Sequence, residues 1–460
     1  MSTFTPFAEK MESAGVSAAA VNAFSRCYEA LVSNHSGMIP ETDILPADQV
    51  EDWQDITAST PADKDLISRC VCIKLNGGLG TSMGLQKAKS LLKVKGEDTF
   101  LDLIVRQVKH LRSISGTPVR LLLMNSFSTS ADTLAYLEKY AADGFADRAE
   151  VELLQNRVPK ILADDLSPAS CPEQPELEWC PPGHGDLYPA LLGSGWLDRL
   201  LADGVKYAFV SNSDNLGAQL DMNFLRWFAE SGPPFVMEVT RRTEADRKGG
   251  HLAVRKSDGQ LILREVAQCP DEDIPEFQNI SRHRYFNTNT LWIRLDALKA
   301  ILDANGGVLP LPMIRNKKTL NPRDPETAPV YQLETAMGAG IECFPGARAV
   351  NVPRSRFFPV KTTSDLFLLR SDAIAVDEHG NVALAPERQG NTPVVDLDSK
   401  LYKLVDSLDG LGLPSLIGMD KLTLRGRFHF QEGAVLQGTL LMENDSDETK
   451  EILPGVYAGA

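Results

Sequence analysis

Long apolar segments are missing from this sequence of 460 residues. No stretch is an unbroken apolar run long enough to cross a bilayer, which argues against a transmembrane helix. The first ten residues, MSTFTPFAEK, also lack the basic and then apolar order of a secretory signal peptide. We therefore expect a cytoplasmic protein that does not bind membranes.

Positive charge and paired cysteines are scarce as well. The 47 Lys and Arg residues face 62 Asp and Glu residues, and the resulting net charge of -15 disfavours nucleic acids and anionic membranes as partners. A phosphate ligand must therefore meet a local basic site. The seven cysteines include Cys70 and Cys72, whose spacing fits neither a zinc knuckle nor a redox C-x-x-C motif. We interpret the cysteines as free buried thiols of a reducing compartment.

The composition that is present, 43% hydrophobic and 24% charged residues, is that of a soluble globular protein. A chain of this length exceeds what one ordinary core serves, so we expect a large domain with a smaller one appended. Apolar residues recur at helical spacing over 9–32, and the sequence texture changes again after residue 372. These shifts predict a helical extension (1–60), a main domain (61–371) and a C-terminal β-rich domain (372–460).

The main domain alternates between strand and helix patterns. Residues 69–75 predict a strand, and 100–113 predict a helix that begins with a capping box of Thr99 and Asp102. Further strands are predicted at 119–124, 151–155, 207–210 and 235–239, and further helices at 130–142 and 222–230. This alternation predicts an α/β fold built on a mostly parallel sheet that is covered on both faces.

The C-terminal domain carries two different patterns. Residues 398–408 have helical spacing, whereas 421–443 alternate apolar and polar residues with glycines between short runs. The alternation predicts stacked short strands, as in a short β-solenoid. Stacked strands leave open edges, so we expect a homo-oligomer to form through residues 421–460.

Two polar clusters follow strands of the main domain. One begins at residue 76 after the first strand, and the other is SNSDN at 211–215. Ligands of such sheets bind beyond the carboxyl ends of the strands. We therefore expect the two clusters to meet at one site.

The segment LNGGLGTSMG (75–84), here called the glycine turn, suits phosphate because its glycines let the backbone approach a ligand and present N–H groups. It is not a Walker A loop, and it is not G-x-G-x-x-G because Met83 stands where the third glycine should be. A purely structural turn between a strand and a helix is the alternative. Lys87 and Lys89, just beyond the turn, favour phosphate.

Seven blocks in one order carry a family resemblance. The glycine turn with AKS at 88–90 is followed by PPGHGDLYPAL (181–191), SNSDNLGA (211–218), REVAQCP (264–270), FNTNTLW (286–292), QLETAMG (332–338) and FFPVKTTSDL (357–366). The chain resembles the eukaryotic-type UTP–glucose-1-phosphate uridylyltransferases. Lys87 and Ala88 depart from the Gly-Pro of that family, and Thr290 departs from its Asn-Thr-Asn-Asn motif.

The resemblance implies a sugar-nucleotidyltransferase fold of the Rossmann-like, GT-A-like type, with a C-terminal domain like a left-handed β-helix. It also implies that UTP reacts with α-D-glucose 1-phosphate by direct in-line attack and gives UDP-glucose and pyrophosphate. Mg²⁺ is the implied cofactor. A pyrophosphorylase for UDP-N-acetylhexosamine or for several UDP-sugars is the alternative enzyme, but such enzymes carry Arg-Leu where this chain has Ser82 and Met83. A catalytically silent nucleotide-binding regulator is the other alternative.

The candidate site residues fall into three groups. Lys361 and Lys89 are the implied catalytic cations, and Asp214 suits a magnesium ion, although an aspartate that caps the following helix is its alternative. The nucleotide group is Leu75, Asn76, Gly77, Gly78, Lys89, Gln155, Gly183, Asn212, Ser213, Asp214 and Lys361, with Gln155 and Gly183 implied to recognise uracil. The sugar-phosphate group is His184, Asn212, Gly250, Glu265, Asn287 and Asn289. Strand-end turns and a surface carboxylate are the alternatives for Asn287, Asn289 and Glu265.

Overall fold

The computed structural model describes residues 3–56 and 63–459. Its α-helices are α1 (Thr5–Ser13), α2 (Ala18–Val32), α3 (Trp53–Ile56), α4 (Lys64–Ser68), α5 (Phe100–Ser115), α6 (Ser130–Leu137), α7 (Arg148–Val151), α8 (Leu187–Gly193), α9 (Trp196–Ala202), α10 (Met222–Ser231), α11 (Ile274–Phe277), α12 (Leu295–Ala304) and α13 (Thr363–Arg370).

Its strands are β1 (Ile44–Pro46), β2 (Glu51–Asp52), β3 (Cys70–Asn76), β4 (Lys93–Lys95), β5 (Asp98–Thr99), β6 (Arg120–Asn125), β7 (Glu152–Leu154), β8 (Val158–Pro159), β9 (Ile161–Leu162), β10 (Trp179–Cys180), β11 (Tyr207–Asn212), β12 (Phe235–Arg241), β13 (His251–Arg255), β14 (Leu261–Arg264), β15 (Tyr285–Arg294), β16 (Ile314–Thr319), β17 (Pro329–Glu334), β18 (Arg348–Asn351), β19 (Ile374–Val376), β20 (Val382–Leu384), β21 (Val394–Asp396), β22 (Ser415–Arg425), β23 (Phe428–Phe430), β24 (Ala434–Glu443), β25 (Lys450–Ile452) and β26 (Gly455–Ala458).

A large mixed sheet forms the centre of the molecule, in the strand order β2-β18-β12-β15-β11-β3-β6-β7. Strands β11, β3, β6 and β7 are parallel, and so are β12, β18 and β2, whereas β15 runs antiparallel between the two groups. Leu75 pairs with both Asn212 and Met124, so the carboxyl ends of three neighbouring strands are level. Strands β1, β13 and β14 add antiparallel pairs to this sheet. The expected α/β fold is confirmed, and its sheet is mixed.

Strand β3 shows why the sheet is covered on both faces. Its residues are β-favouring and almost wholly buried. Val71 and Ile73 belong to one hydrophobic cluster, while Cys70 and Cys72 belong to another. Since successive side chains of a strand point to opposite faces, each face of the sheet packs against its own core.

Helix α5 begins where the sequence indicates and runs two residues beyond the predicted range. The Thr99 side chain accepts the Asp102 N–H, and the Asp102 carboxylate accepts the Thr99 N–H at 2.8 Å, which is the expected capping box. Gly116 follows the helix in the left-handed conformation. A capping side chain of this kind stabilises a helix by about 1 kcal/mol.

The structure refines one helix prediction and corrects another. The 9–32 pattern is divided between α1 and α2 by a turn at Gly15, where φ is +73°. The prediction of a helix over 398–408 is wrong, because only Val405–Leu408 form a 3₁₀ turn. The apolar spacing there serves tertiary contacts instead: Tyr402 and Leu408 are buried in the core, and the Tyr402 hydroxyl accepts the Phe428 N–H at 2.9 Å.

The predicted stacked strands near the C-terminus are confirmed. Strands β21, β22, β24 and β26 pair in parallel, as do β23 and β25. One hydrophobic cluster contains Leu101 and Phe367 of the main part together with Leu416 and Met419 of the C-terminal part. The core is therefore continuous across the predicted boundary at 371/372. The other predicted boundary, 60/61, lies outside the described residues.

The N-terminal helices pack onto the main part. Phe7, Phe24 and Tyr28 share a buried cluster with Val158 and Ile161.

All seven cysteines are free. Cys70, Cys72, Cys180 and Cys269 are buried, whereas Cys27, Cys171 and Cys343 are partly exposed. Within residues 3–56 and 63–459, no helix has the length and apolarity needed to cross a membrane.

Candidate active site

A pocket of about 340 Å³ opens at the carboxyl ends of the central strands. Its walls come from the glycine turn, from the loops after β7 and β11, and from residues near α8, β15 and α13. The lining residues are Leu75, Gly77, Gly78, Lys89, Met124, Gln155, Gly183, His184, Asn212, Ser213, Asp214, Asn289 and Lys361. The two polar clusters therefore meet at one site, as the sequence predicts.

The glycine turn bends sharply after β3. Gly80 adopts the left-handed conformation with φ +65°, and a Cβ there would lie 2.8 Å from Leu85 Cδ1. A Cβ on Gly77 would lie 3.0 Å from Gln155 Oε1, inside the pocket wall. Side chains at these positions would strain the turn or fill the space that a ligand needs.

Three charged side chains meet on one wall of the pocket. Asp214 Oδ2 accepts from Lys89 Nζ at 2.7 Å and from Lys361 Nζ at 3.1 Å. Lys89 also donates to the carbonyl of Val360, beside Lys361. Burial alone would raise the pKa of Asp214, but the ammonium groups of Lys361 and Lys89 outweigh it and lower this pKa. The site therefore presents an ionised carboxylate between two cations.

Asp214 has a carboxylate oxygen available as a ligand for a hard cation such as Mg²⁺. In the described part of the chain, its buried Oδ1 has no hydrogen-bond partner. The described residues hold no cluster of three or more His, Cys, Asp or Glu side chains able to bind a metal ion by themselves. A single carboxylate fits Mg²⁺, which usually keeps several waters and shares its shell with substrate phosphates.

Two loops form the opposite wall. Gln155 Nε2 donates to the Gly183 carbonyl at 2.9 Å, and the Gln155 N–H donates to the Asn125 carbonyl at 2.7 Å. Gly183 has φ +79°, and a Cβ there would lie 2.5 Å from the Thr335 carbonyl oxygen, so glycine is required. The buried Asp186 accepts the Asn156 N–H at 2.7 Å and ties the loops together; burial raises the pKa of Asp186 to about 7.

His184 is held as a neutral donor. Its Nδ1 accepts the Met337 N–H at 2.9 Å, which leaves the ring proton on Nε2. Burial, assisted by the charge of Lys361, lowers the pKa of His184 to about 4. The imidazole is therefore uncharged near neutral pH and offers one N–H to a ligand.

Hydrogen bonds join three of the residues predicted to bind the sugar, Asn287, Asn289 and Gly250. Of these three, Asn289 lines the pocket. Asn287 Nδ2 donates to Asn289 Oδ1 at 3.0 Å, and Asn287 Oδ1 accepts the Asn289 N–H at 2.9 Å. Asn289 has φ +58°, a conformation that asparagine tolerates better than most residues. The Asn287 N–H donates to the Gly250 carbonyl at 3.1 Å, which joins Gly250 to the group.

Four predicted site residues lie outside the pocket lining. Asn76 is buried and donates to Asn125 Oδ1 at 2.8 Å. Asn287, Gly250 and Glu265 are likewise not among the lining residues. The space beside Gly250 is occupied by a carboxylate, since a Cβ there would meet Glu265 Oε2 at 2.5 Å. Burial raises the pKa of Glu265.

A family model described as UTP–glucose-1-phosphate uridylyltransferase matches residues 21–437. The chain belongs to this family. It is 43% identical to the UTP–glucose-1-phosphate uridylyltransferase of Saccharomyces cerevisiae over 391 residues, which cover 84% of this chain and 76% of that protein. It is 40% identical to that of Solanum tuberosum over 415 residues, 90% of this chain and 84% of the relative.

Solved structures of UDP-glucose pyrophosphorylases superpose closely on the chain. A mutant enzyme from Leishmania major in complex with UDP-glucose has a TM-score of 0.92 at 43% identity, with both chains covered completely. A protein from Trypanosoma brucei, described as UDP-glucose phosphorylase, has a TM-score of 0.89 at 43% identity and the same coverage. The fold is therefore that of the UTP–glucose-1-phosphate uridylyltransferase family.

Departures from the family pattern lie around the pocket rather than in its lining. Lys87 is exposed and Ala88 is buried. Thr290 is buried in β15, and its hydroxyl has no partner in the described residues. Ser82 and Met83, which stand where the acetylhexosamine enzymes carry Arg-Leu, are also outside the lining, since Ser82 is exposed and Met83 is buried in the core. Met83 thus shapes the turn through packing.

Sequence reasoning missed two residues of the site. Met124 lines the pocket, and its position at the end of a predicted strand next to the first one was the available signal. Lys74 is buried beneath the pocket, where Nζ donates to Ser211 Oγ and to the Ala218 carbonyl, both at 2.8 Å. Burial lowers the pKa of Lys74 to about 8. Its place within an apolar strand gave no sign of this role.

Proposed function

We propose that the chain transfers the uridylyl group of UTP to α-D-glucose 1-phosphate and releases UDP-glucose and pyrophosphate. The observation that carries this proposal is the wall where Asp214 lies between Lys89 and Lys361. Family membership supports the choice of substrates. The reaction is reversible and belongs to carbohydrate metabolism.

The proposed reaction needs positioning and charge neutralisation more than proton transfer. A phosphate oxygen of the sugar phosphate is already a nucleophile at neutral pH, so no general base and no covalent intermediate are required. Lys361, with its side chain 58% exposed, reaches into the pocket and stabilises the negative charge that develops at the α-phosphorus. Lys89 binds the triphosphate. Its ammonium group also donates to the carbonyl of Val360, the residue before Lys361.

Magnesium is the proposed cofactor, and Asp214 Oδ1 would hold it. When bound, Mg²⁺ neutralises phosphate charge and polarises the oxygens of the departing pyrophosphate. Asn212 and Ser213 line the pocket next to Asp214 and contact the nucleotide. Lys89 and Lys361 keep the carboxylate ionised and oriented before the substrates arrive.

The nucleotide base binds between Gln155 and Gly183, with Leu75, Gly77 and Gly78 along the nucleotide. A neutral amide can satisfy the mixed donor and acceptor edge of uracil. Asn76 acts behind the turn by holding Asn125, whose carbonyl accepts the Gln155 N–H. The part of the nucleotide site that binds the base is thus built from backbone and amide groups.

The sugar phosphate binds on the side of His184 and Asn289. The Nε2–H of His184 donates a hydrogen bond to an oxygen of the sugar phosphate. Asn212 lies between the two substrates. Asn287 orients Asn289, while Gly250 and Glu265 complete the hydroxyl-reading group. Buried polar readers discriminate strongly, because a wrong sugar leaves them unpaired.

A pyrophosphate-release assay with UTP and a panel of sugar 1-phosphates tests this proposal. We expect glucose 1-phosphate to give the highest kcat/KM and N-acetylhexosamine 1-phosphates to react poorly. Preference for an acetylated sugar would favour the alternative enzyme. Absence of release with every sugar would favour a silent nucleotide-binding protein.

We further propose that the protein acts in the cytoplasm. We also propose three domains: a helical extension (1–60), a catalytic domain (61–371) and a left-handed β-helix-like domain (372–460). The parallel pairing of β22, β24 and β26 supports the helical winding. Strand β26 lies at the edge of its sheet with Val456 65% exposed, which suits a homo-oligomer contact. Light scattering of the full chain and of Val456→Asp tests it, since an unchanged mass would exclude that contact.

A further inference from the structure

Asn215 follows Asp214 but does not line the pocket. It is almost completely buried, with 1% of its surface exposed. It belongs to residues 211–218, the end of β11 and the loop that follows it, here called the Asp214 loop. Its side chain faces residues 354–361, here called the Lys361 segment, which is far away in the sequence.

The Asn215 amide uses both of its ends on the Lys361 segment. Oδ1 accepts the Phe358 N–H at 2.8 Å, and Nδ2 donates to the Arg356 carbonyl at 3.3 Å. The Val360 N–H donates to the Asp214 carbonyl at 3.2 Å, and Asn215 forms an isolated antiparallel bridge with Pro359. The backbone that leads to Lys361 is therefore fixed against the backbone that carries Asp214.

Both partners of this contact have further anchors, and Arg356 of the Lys361 segment also donates to the carbonyl of Gln219, the residue after the Asp214 loop, at 2.9 Å. Lys74 donates to Ser211 Oγ and to the Ala218 carbonyl, at the two ends of the Asp214 loop. The Arg356 guanidinium donates to both carboxylate oxygens of the buried Glu238, at 2.7 and 2.8 Å. Asn215 therefore joins two rigid pieces of the molecule.

We propose that Asn215 is a positioning residue that sets the place of Lys361 relative to Asp214. Lys361 has a long, half-exposed side chain, so the course of its backbone decides where the ammonium group can lie. Loss of the amide frees the Phe358 backbone, three residues before Lys361, and loosens the ammonium group in the transition state. Misplacement by about 1 Å can lower a rate about 100-fold. The inference rests on the proposed function, because it gives Lys361 the role assigned there.

A double-mutant cycle tests the inference. We expect Asn215→Ala to lower kcat about 10- to 100-fold while both KM values stay within about 3-fold. In a Lys361→Ala background, the same substitution should lower kcat by less than about 2-fold, because the group that Asn215 positions is already absent. Equal losses in both backgrounds would show that Asn215 acts independently of Lys361 and would overturn the inference.

Matched variants separate positioning from stability. Asn215→Ser keeps a short polar side chain without placing a charge at this buried position, so it provides the cycle if the alanine variant does not fold. Asn444, which donates Nδ2 to the Arg427 and Glu448 carbonyls, is the control amide, and Asn444→Ala should retain parental kcat. Near-normal turnover of Lys361→Ala alone would instead refute the role that the proposed function gives to Lys361, and absence of pyrophosphate release by the parent protein would refute the proposed function itself. A kcat of Asn215→Ala within 2-fold of the parent would refute the positioning role.

Discussion

Replacement of Lys361 by alanine should separate catalysis from stability. The Lys361 side chain is 58% exposed and makes one ion pair, at 3.1 Å to Asp214. Asp214 is buried, but it keeps Lys89 as a partner at 2.7 Å after the substitution. An ion pair with one exposed partner contributes about 0.2–1 kcal/mol, so the free energy of unfolding should fall by about 1 kcal/mol. Loss of one charged group that stabilises a transition state costs about 3–4 kcal/mol, which corresponds to about a 100- to 1,000-fold fall in kcat.

Lys93 provides the matched control. Its side chain is also 58% exposed and makes one ion pair, at 2.7 Å to Glu97, but it does not line the pocket. Lys361→Ala and Lys93→Ala should therefore melt within about 4 °C of the parent. In the pyrophosphate-release assay with UTP and glucose 1-phosphate, the Lys361 variant should be nearly inactive and the Lys93 variant should match the parent.

Two results would refute this reasoning. A Lys361→Ala protein with kcat within a few-fold of the parent would exclude Lys361 as the group that stabilises the developing charge. A large fall in melting temperature together with lost activity would show that Lys361 supports the fold. Lys361→Arg keeps the charge but changes its shape, so it should recover part of the rate.

The remaining predictions concern the metal, the base and one buried imidazole. Asp214→Asn should raise the Mg²⁺ concentration for half-maximal activity at least about 10-fold, and an unchanged Mg²⁺ titration would exclude Asp214 as the ligand. Gln155→Ala should raise KM for UTP about 10-fold through the lost amide contacts, with KM for glucose 1-phosphate unchanged; equal rises in both would contradict the base-reading role. The pKa of His184, near 4, predicts constant imidazole NMR shifts from pH 5.5 to 8, and a titration near 6.5 would contradict its burial. Because that pKa lies below the value of the unfolded chain, the contribution of His184 to stability is complete above pH 6.5 and is lost as the pH falls to 4.

The meeting of the two polar clusters was predictable from the sequence. The glycine turn before Lys89 and the SNSDN segment that contains Asp214 both follow predicted strands, and the carboxyl ends of such strands meet at the same edge of the sheet. The places of Lys361 and Gln155 came instead from the family resemblance. The structure brings all four residues to the lining of one pocket.

Other features depend on contacts that no local pattern records. The helical spacing of 398–408 reflects packing of Tyr402 and its neighbours against distant residues, and tertiary contacts outweigh helix propensity there. The buried Lys74 is similarly unpredictable, because its partners Ser211 and Ala218 are more than 130 residues away. The space beside Gly250, filled by the Glu265 carboxylate, depends on the pairing of β13 with β14.

The hydrophobic cluster that runs from Leu101 and Phe367 to Leu416 and Met419 has a consequence for how the molecule melts. Because this core is shared, residues 372–460 cannot lose their packing without exposing apolar surface of α5 and α13 to water. Differential scanning calorimetry should therefore record a single heat-absorption peak for the intact chain. A protease cut near residue 371 would leave two fragments that stay associated until that peak is reached.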